Sequence, residues 1–335
     1  MKHLKSAGLL CLCAMLVTMT SCDNFLGIDD DLSDCGKNFN LNYHVRLITN
    51  KDVEVRTVLN SANDQYVAMA VDNVLSGYFK EYANNLDLAF YRTENGTQEL
   101  NEIQPINGNQ ASYTFYLEHD QYTNLAIGNS EQEPAVTLSG KETLTTSRLT
   151  ANGGETQQNH SIALYTGRAA LDATGQKELA GDVYLYMANS AAVLVIDTTG
   201  YHVQNIRVTV EDLATSFNIA DSTYAYNGSS IEARQIDMTP YPDNKREAFY
   251  AYCFPSRDQA TSPDDPIWRM KVYITLNDGS TTENILNIHN PLMAGNAEIY
   301  KTKIDEKGVL LIADPSVGVS VTFNWKPGGE YNPDF

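Results

Sequence analysis

The side chains that carry most enzymatic chemistry are present, but their spacing does not assemble them. Apart from His3, the histidines are His44, His119, His160, His202 and His289. None falls at the HxH or HExxH spacing that turns two imidazoles toward one metal. The sequence has no GxSxG nucleophile elbow, no phosphate-binding P-loop and no SxxK pair. Asp264-Asp265 supplies two neighbouring carboxylates, as glycoside hydrolysis needs, but a chain with 42 acidic residues forms such pairs by chance. Asp29–Asp34 lacks the glycine and terminal glutamate of an EF-hand loop. The reading is therefore of a non-enzyme with no metal site and no cofactor.

Cys22 is singled out by its position. Lys2 and Lys5 precede a largely apolar stretch, Ala7–Met19, which is shorter than the roughly 20 residues needed to cross a bilayer core. The stretch runs into Met19-Thr20-Ser21-Cys22. Small residues followed by cysteine resemble the lipobox of bacterial lipoproteins, in which the thiol is acylated, with palmitate among the chains, and becomes the new N-terminus. Residues 1–21 are then a signal peptide, and Cys22 is the lipidation site. An ordinary signal peptide with an incidental cysteine is the alternative. Each buried methylene contributes about 0.8 kcal/mol, so one chain holds marginally and several hold durably. Residues 22–37 read as a lipidated tether with a self-repelling Asp29-Asp30-Asp31 run. After export only Cys35 and Cys253 remain; they could pair, but no spacing requires it, and no CxxC metal motif occurs.

The formal charge is −19. Because the signal segment is basic, the exported part is more acidic still. Such a surface repels phosphate, and nucleic acid is excluded as a partner. An apolar fraction of 42% argues against a polytopic membrane protein, and 335 residues suffice for two domains with their own cores.

The elements that must carry any site are strands. Phe39, Leu41, Tyr43, Val45 and Leu47 alternate with polar residues, the pattern of a half-buried strand. Further strands are expected at Leu86–Tyr91, Tyr113–Leu117, Tyr122–Ile127, Ser161–Tyr165, Val183–Met187, Ala192–Ile196, Ile206–Val210, Ala248–Phe254, Trp268–Thr275 and Glu298–Ile304. The last alternation is Val317, Val319, Val321, Phe323 and Trp325. Asn95-Gly96, Asn107-Gly108, Asn152-Gly153-Gly154, Asn227-Gly228 and Asp278-Gly279 mark turns between strands. Tyr66–Tyr82 fits either an amphipathic helix or a strand and loop. Many short strands with few helical windows predict an all-β sandwich architecture. Ala173–Gly181 is the expected boundary, dividing residues 38–177 from 178–335.

Three segments together resemble the FimB/Mfa-type fimbrial anchor lipoproteins. They are Cys22 followed by Ile28–Cys35 and an alternating strand, Tyr113–Asn129 (YTFYLEHDQYTNLAIGN), and Val319–Trp325 (VSVTFNW). Residues 66–82 depart from that family's early strands. The resemblance implies two tandem transthyretin-like β-sandwich domains held by lipid at the outer membrane, exposed on the cell surface. It implies a protein that anchors a polymeric fimbria of the type V class and limits its length, with shaft subunits as partners. Such subunits join by strand exchange, in which main-chain hydrogen bonds give affinity and alternate side chains give specificity.

Shaft subunits of that class open their groove by proteolytic loss of the first strand, cut after a basic residue. Here Arg46 and Arg56 are the arginines near that strand, and a cut at either would separate the body from Cys22. The first strand is therefore expected to stay, and joining is expected to use Val317, Val319, Val321, Phe323 and Trp325 as the candidate donor strand, or another edge. The rival reading is a surface glycan-binding lipoprotein using exposed aromatics among 20 tyrosines, Trp268 and Trp325. Both tryptophans lie on alternating strands, where core packing is the expectation. Asn95, Asn159 and Asn227 open N-glycosylation-like triplets that read as turns or loops. Asp197-Thr198-Thr199 and Asp221-Ser222-Thr223 resemble a short O-glycosylation pattern of Bacteroides-type bacteria.

Overall fold

A computed structural model describes residues 41–49, 59, 64–79, 83–94, 97–107, 112–174, 178–242, 245–263, 265–311 and 319–321, the first and last of these segments through their backbone pairing. Residues 40–335 cluster as one compact unit. The chain opens with β1 (Leu41–Thr49), α1 (Gln65–Phe79), β2 (Asn85–Glu94), β3 (Thr97–Asn107), β4 (Tyr113–Leu117) and β5 (Gln121–Gly128). The short strands β6 (Val136–Ser139), β7 (Arg148–Ala151) and β8 (Thr156–Gln157) follow, then β9 (Tyr165–Asp172), β10 (Glu178–Met187) and β11 (Ser190–Asp197). After β12 (Val203–Leu213) come β13 (Ser216–Asn218), β14 (Thr223–Ala225), β15 (Ser229–Glu232) and β16 (Arg234–Gln235). The chain closes with β17 (Arg246–Cys253), β18 (Trp268–Leu276), β19 (Thr281–Ile288), β20 (Ala297–Ile304), β21 (Leu310–Leu311) and β22 (Val319–Val321).

The strands form four sheets, in the orders β3-β2-β5-β9-β10-β1-β4, β16-β17-β11-β20-β21 with β22 also on β20, β19-β18-β12-β15-β8, and β14-β13-β7-β6. Alternating side chains bury both faces of the central sheets, so the strands stack in layers. On one face of the first sheet, Ala89, Tyr91, Leu125 and Ile127 pack with Val136, Leu149 and Phe217 of the four-stranded sheet. On its other face, Leu88, Phe90, Leu185 and Met187 share a core with α1 and with Val193, Val195 and Ile299 of the second sheet. The second sheet's opposite face, Leu194, Ile196, Phe249 and Tyr300, packs on Val210, Trp268, Val272 and Leu286 of the third. The described residues thus form two β-sandwiches with α1 filling the seam.

The helix reading of residues 66–82 holds over Gln65–Phe79. Val67, Ala70, Val71, Leu75, Tyr78 and Phe79 are its buried residues, a spacing close to 3.6. Its apolar stripe is wide because two sheets claim it. Tyr78 stacks on Tyr252 of β17 with ring centroids 3.5 Å apart, and the Tyr252 hydroxyl donates to the Val74 carbonyl at 2.8 Å. Asp64, just ahead of the helix, forms an ion pair with Arg246 of β17 at 3.1 Å and accepts from Lys301 of β20 at 2.5 Å.

Two expectations change. Ser161–Tyr165 is not a strand; only Tyr165 lies in β9. The N–H groups of Ser161 and Ile162 are taken by the Glu133 carboxylate at 2.6 and 2.8 Å, and that of Leu164 by Asn189 at 3.1 Å. Side chains have replaced a ladder there, so the apolar alternation misleads. The change of sheet also falls later than residue 177. β10 pairs parallel with β1 and antiparallel with β9, both in the first sheet, and the chain crosses at Ala188-Asn189 into β11. The four-stranded sheet takes β6 and β7 from before the expected boundary and β13 and β14 from after it. Several turns hold as expected. Asp278-Gly279 turns between β18 and β19 with Gly279 at φ 85, and Gly153 has φ 111 where a Cβ would lie 2.3 Å from the Thr156 carbonyl, whereas Asn95-Gly96 lies outside the described residues.

Candidate functional site

The site that the sequence nominates is the C-terminal edge of the second sheet. Its template is β20, whose residues alternate between two cores. Ala297 and Ile299 face the helix, whereas Tyr300 and Ile304 face the third sheet. Tyr300 meets Trp268 edge to face at 5.7 Å, and the Trp268 indole donates to the Asn290 carbonyl at 2.8 Å. Burial and the neighbouring Glu298 carboxylate push the Tyr300 hydroxyl well above its ordinary pKa, so it stays neutral and packs as a core group.

On one side β20 runs parallel to β11, from Ala191↔Ala297 to Asp197↔Lys303. On the other, β21 covers Lys303 and Ile304, and β22 covers Ala297 to Ile299 in the register Ala297↔Val321, Glu298↔Ser320 and Ile299↔Val319. The β20–β21 turn is clamped. Asp305 accepts from the N–H groups of Lys307 and Val309, both at 2.8 Å. The buried Asn284 amide bonds the Gly308 carbonyl at 2.9 Å and the Leu310 N–H at 2.8 Å. Among the described residues β22 pairs with β20 at three positions, on the same side as β21.

The first strand's surroundings in the other sheet are arranged differently. β1 lies between β10 and β4, pairing with β10 over Asn42–Thr49 and with β4 over Leu41–Val45. β4 reaches the rest of the sheet only through β1. Arg46 sits inside this strand, in register with Asp182. Removing β1 would orphan β4 and expose the parallel edge of β10.

Of the nominated residues, Val319 and Val321 lie in β22, with their backbone paired to β20. Cys22, Val317, Phe323, Trp325, Cys35, Arg56 and the tether lie outside the described residues. Trp268 is fully buried, as a core residue would be. Cys253 is buried beside Ser190, and burial pushes its thiol up to about 12. Among the described residues no cluster of three or more His, Cys, Asp or Glu could hold a metal ion, and no helix is long and apolar enough to cross a membrane.

The sequence reading missed the polar joint between the sandwiches. Asn129 ends β5 in the left-handed region, at φ 64, and its side chain accepts from the Asn84 N–H and donates to the Ala163 carbonyl, both at 2.8 Å. His160 is fully buried against Phe254, 4.9 Å away edge to face, with Asn189 at 3.4 Å from its Nδ1. Burial pushes its pKa down to about 3. The Gly128-Asn129 ending was visible; its partners, distant in sequence, were not.

Layered sandwiches with a seam helix and paired edges define an all-β sandwich protein. The fold matches a candidate adhesin from Bacteroides ovatus with TM-score 0.51 and 12% identity, over 85% of this chain and 99% of that one. It matches a candidate polysaccharide-binding protein from Bacteroides thetaiotaomicron with TM-score 0.51 and 9% identity, over 81% and 94%. The structural neighbours also include the fimbrial anchor protein Mfa2 from Porphyromonas gingivalis, at TM-score 0.49 and 11% identity, over 87% and 100%. No protein-family model matches the chain, and no curated protein matches it.

Proposed function

We propose that this chain is a surface lipoprotein of the fimbrial anchor type. Acylated Cys22 holds it in the outer membrane, the 22–37 tether spaces it from the lipid, and the paired sandwiches form the base on which fimbrial shaft subunits are held. The observation that carries this reading is the placement of β1. A subunit that matured by losing its first strand would be cut loose from Cys22, and here that strand is laced between β10 and β4 with Arg46 inside the ladder. An anchor that keeps its first strand, paired on both sides, joins its neighbour through another strand.

The donor is the segment Val317–Trp325. In the free chain its middle, β22, covers β20, so donation requires release of that edge and re-pairing in a neighbour. Alternate residues Val317, Val319, Val321, Phe323 and Trp325 then fill the neighbour's pockets. The limit on fimbrial length follows from a base that donates a strand and accepts none.

Fractionation with affinity capture tests the anchor itself. In the native host, tagged protein should sediment with the outer membrane and co-purify a fimbrial subunit. Cys22→Ala should move both into the soluble fraction. A Cys22→Ala protein that stays in the membrane, or a capture without fimbrial subunit, contradicts the proposal.

A further inference from the structure

Asparagine followed by glycine carries a chemistry of its own. The glycine's backbone nitrogen can attack the asparagine side-chain carbon, because no Cβ on the glycine blocks the approach. The attack requires a side chain and backbone free to fold back on one another. Asn152-Gly153 and Asn227-Gly228 both lie among the described residues, and the fold treats them oppositely.

Asn152 is held at every polar atom. Its Nδ2 donates to the Pro134 carbonyl at 2.9 Å, and its Oδ1 accepts from the Thr137 hydroxyl at 2.8 Å. Its N–H donates to the Ala135 carbonyl at 2.8 Å, and its carbonyl accepts from the Gln158 N–H at 2.9 Å. Gly153 is crowded as well, with the Thr156 carbonyl 2.3 Å from where a Cβ would stand. Asn227, by contrast, is exposed in the link between β14 and β15, and its side chain makes no hydrogen bond. A Cβ at Gly228 would meet nothing within 4 Å. The flanks are fixed: the Tyr226 hydroxyl donates to the Ser256 carbonyl at 2.9 Å, and Ser229 pairs with Leu213. Freedom is thus confined to the two residues that react. Asp278-Gly279 could close the same ring only through a protonated carboxyl. Its carboxylate accepts from the Ser280 hydroxyl at 2.6 Å and N–H at 2.9 Å, bonds that hold it ionised.

We infer that Asn227 is a site of spontaneous deamidation. The Gly228 nitrogen gives its proton to hydroxide and bonds to the Asn227 Cγ. The Cγ–Nδ2 bond breaks, ammonia leaves, and a succinimide ring closes. Water then opens the ring at either carbonyl. One opening gives aspartate; the other gives isoaspartate, whose backbone runs through the former side chain. No electrons change hands, and no enzyme is required. The loop gains a negative charge and, in isoaspartate, an extra methylene in its backbone. The inference does not rest on the anchor reading.

The test holds the folded full chain in warm, mildly alkaline buffer and follows the two Asn-Gly peptides by mass spectrometry, with an isoaspartate-specific methyltransferase marking that product. Asn227 should convert at least about ten-fold faster than Asn152, a barrier difference of about 1.36 kcal/mol. In denaturant, where the bonds to Pro134 and Thr137 are lost, the two rates should come together. Because the comparison is internal to one chain, it needs no variant that must fold. Three results would overturn the inference: equal rates in the folded protein, an Asn227 that converts only after unfolding, or conversion at Asn227 without isoaspartate.

Discussion

Acidification places a proton on a free histidine near pH 6.5, but His160 is enclosed by Phe254, Asn189 and the start of β9, and burial holds its pKa to about 3. The unfolded chain therefore binds one more proton than the folded chain between those two values. Stability gained from this site is complete above pH 6.5 and is lost as the pH falls through the window. Taking about 3 and 6.5 as the two constants, the loss between pH 8 and pH 5 is about 2 kcal/mol. Carboxylates and the other histidines also titrate, so the informative quantity is a double difference. Urea unfolding of the wild type and of His160→Gln at pH 8 and pH 5 gives four free energies. The wild type should lose about 2 kcal/mol more than the variant over that interval. The variant's own destabilisation cancels because it enters at both pH values. Equal losses in the two proteins, or an NMR titration placing His160 near pH 6, would refute the enclosed joint.

Tyr78→Ala removes the ring stacked on Tyr252 across the seam and should cost about 3–5 kcal/mol in denaturant unfolding; a cost below about 1 kcal/mol would mean that the helix does not bind the second sheet. Asn129→Gly keeps the left-handed backbone but loses bonds to Asn84 and Ala163, so it should still destabilise by about 1–3 kcal/mol, and a neutral variant would show that only the backbone angle matters. Cys253, buried and with its thiol pushed up to about 12, should escape maleimide in the native protein and react on unfolding, as read by peptide mass spectrometry. Rapid native labelling would place it at the surface.

Much of the fold was legible because burial patterns are local. Tyr113–Leu117 alternates, and β4 has those bounds; the continuous apolar run Ala191–Ile196 gives β11, buried on both faces. What escaped the sequence has physical causes. β3 and β19 are edge strands whose polar residues, TQELNEIQPIN and TTENILNI, blur the alternation. The helix was ambiguous because two sheets bury it. β9 was placed too early because Glu133 and Asn189, distant in sequence, satisfy the backbone before it. The candidate donor was readable as a strand, but its pairing with β20 is a long-range choice that no local pattern encodes. Asn152-Gly153 and Asn227-Gly228 read alike in sequence, and only the bonds from Asn152 to Pro134 and Thr137 tell them apart.

The claim that the C-terminal strand joins this chain to a fimbria is tested most directly by deleting residues 316–335 and counting fimbriae retained on the cell surface. Among the described residues of that segment three pair with β20, and the shortened protein should fold, reach the membrane and melt cooperatively. The account predicts that such cells shed their fimbriae into the medium while the truncated anchor stays behind. Fimbriae retained at wild-type number on a folded, membrane-bound truncation would contradict it.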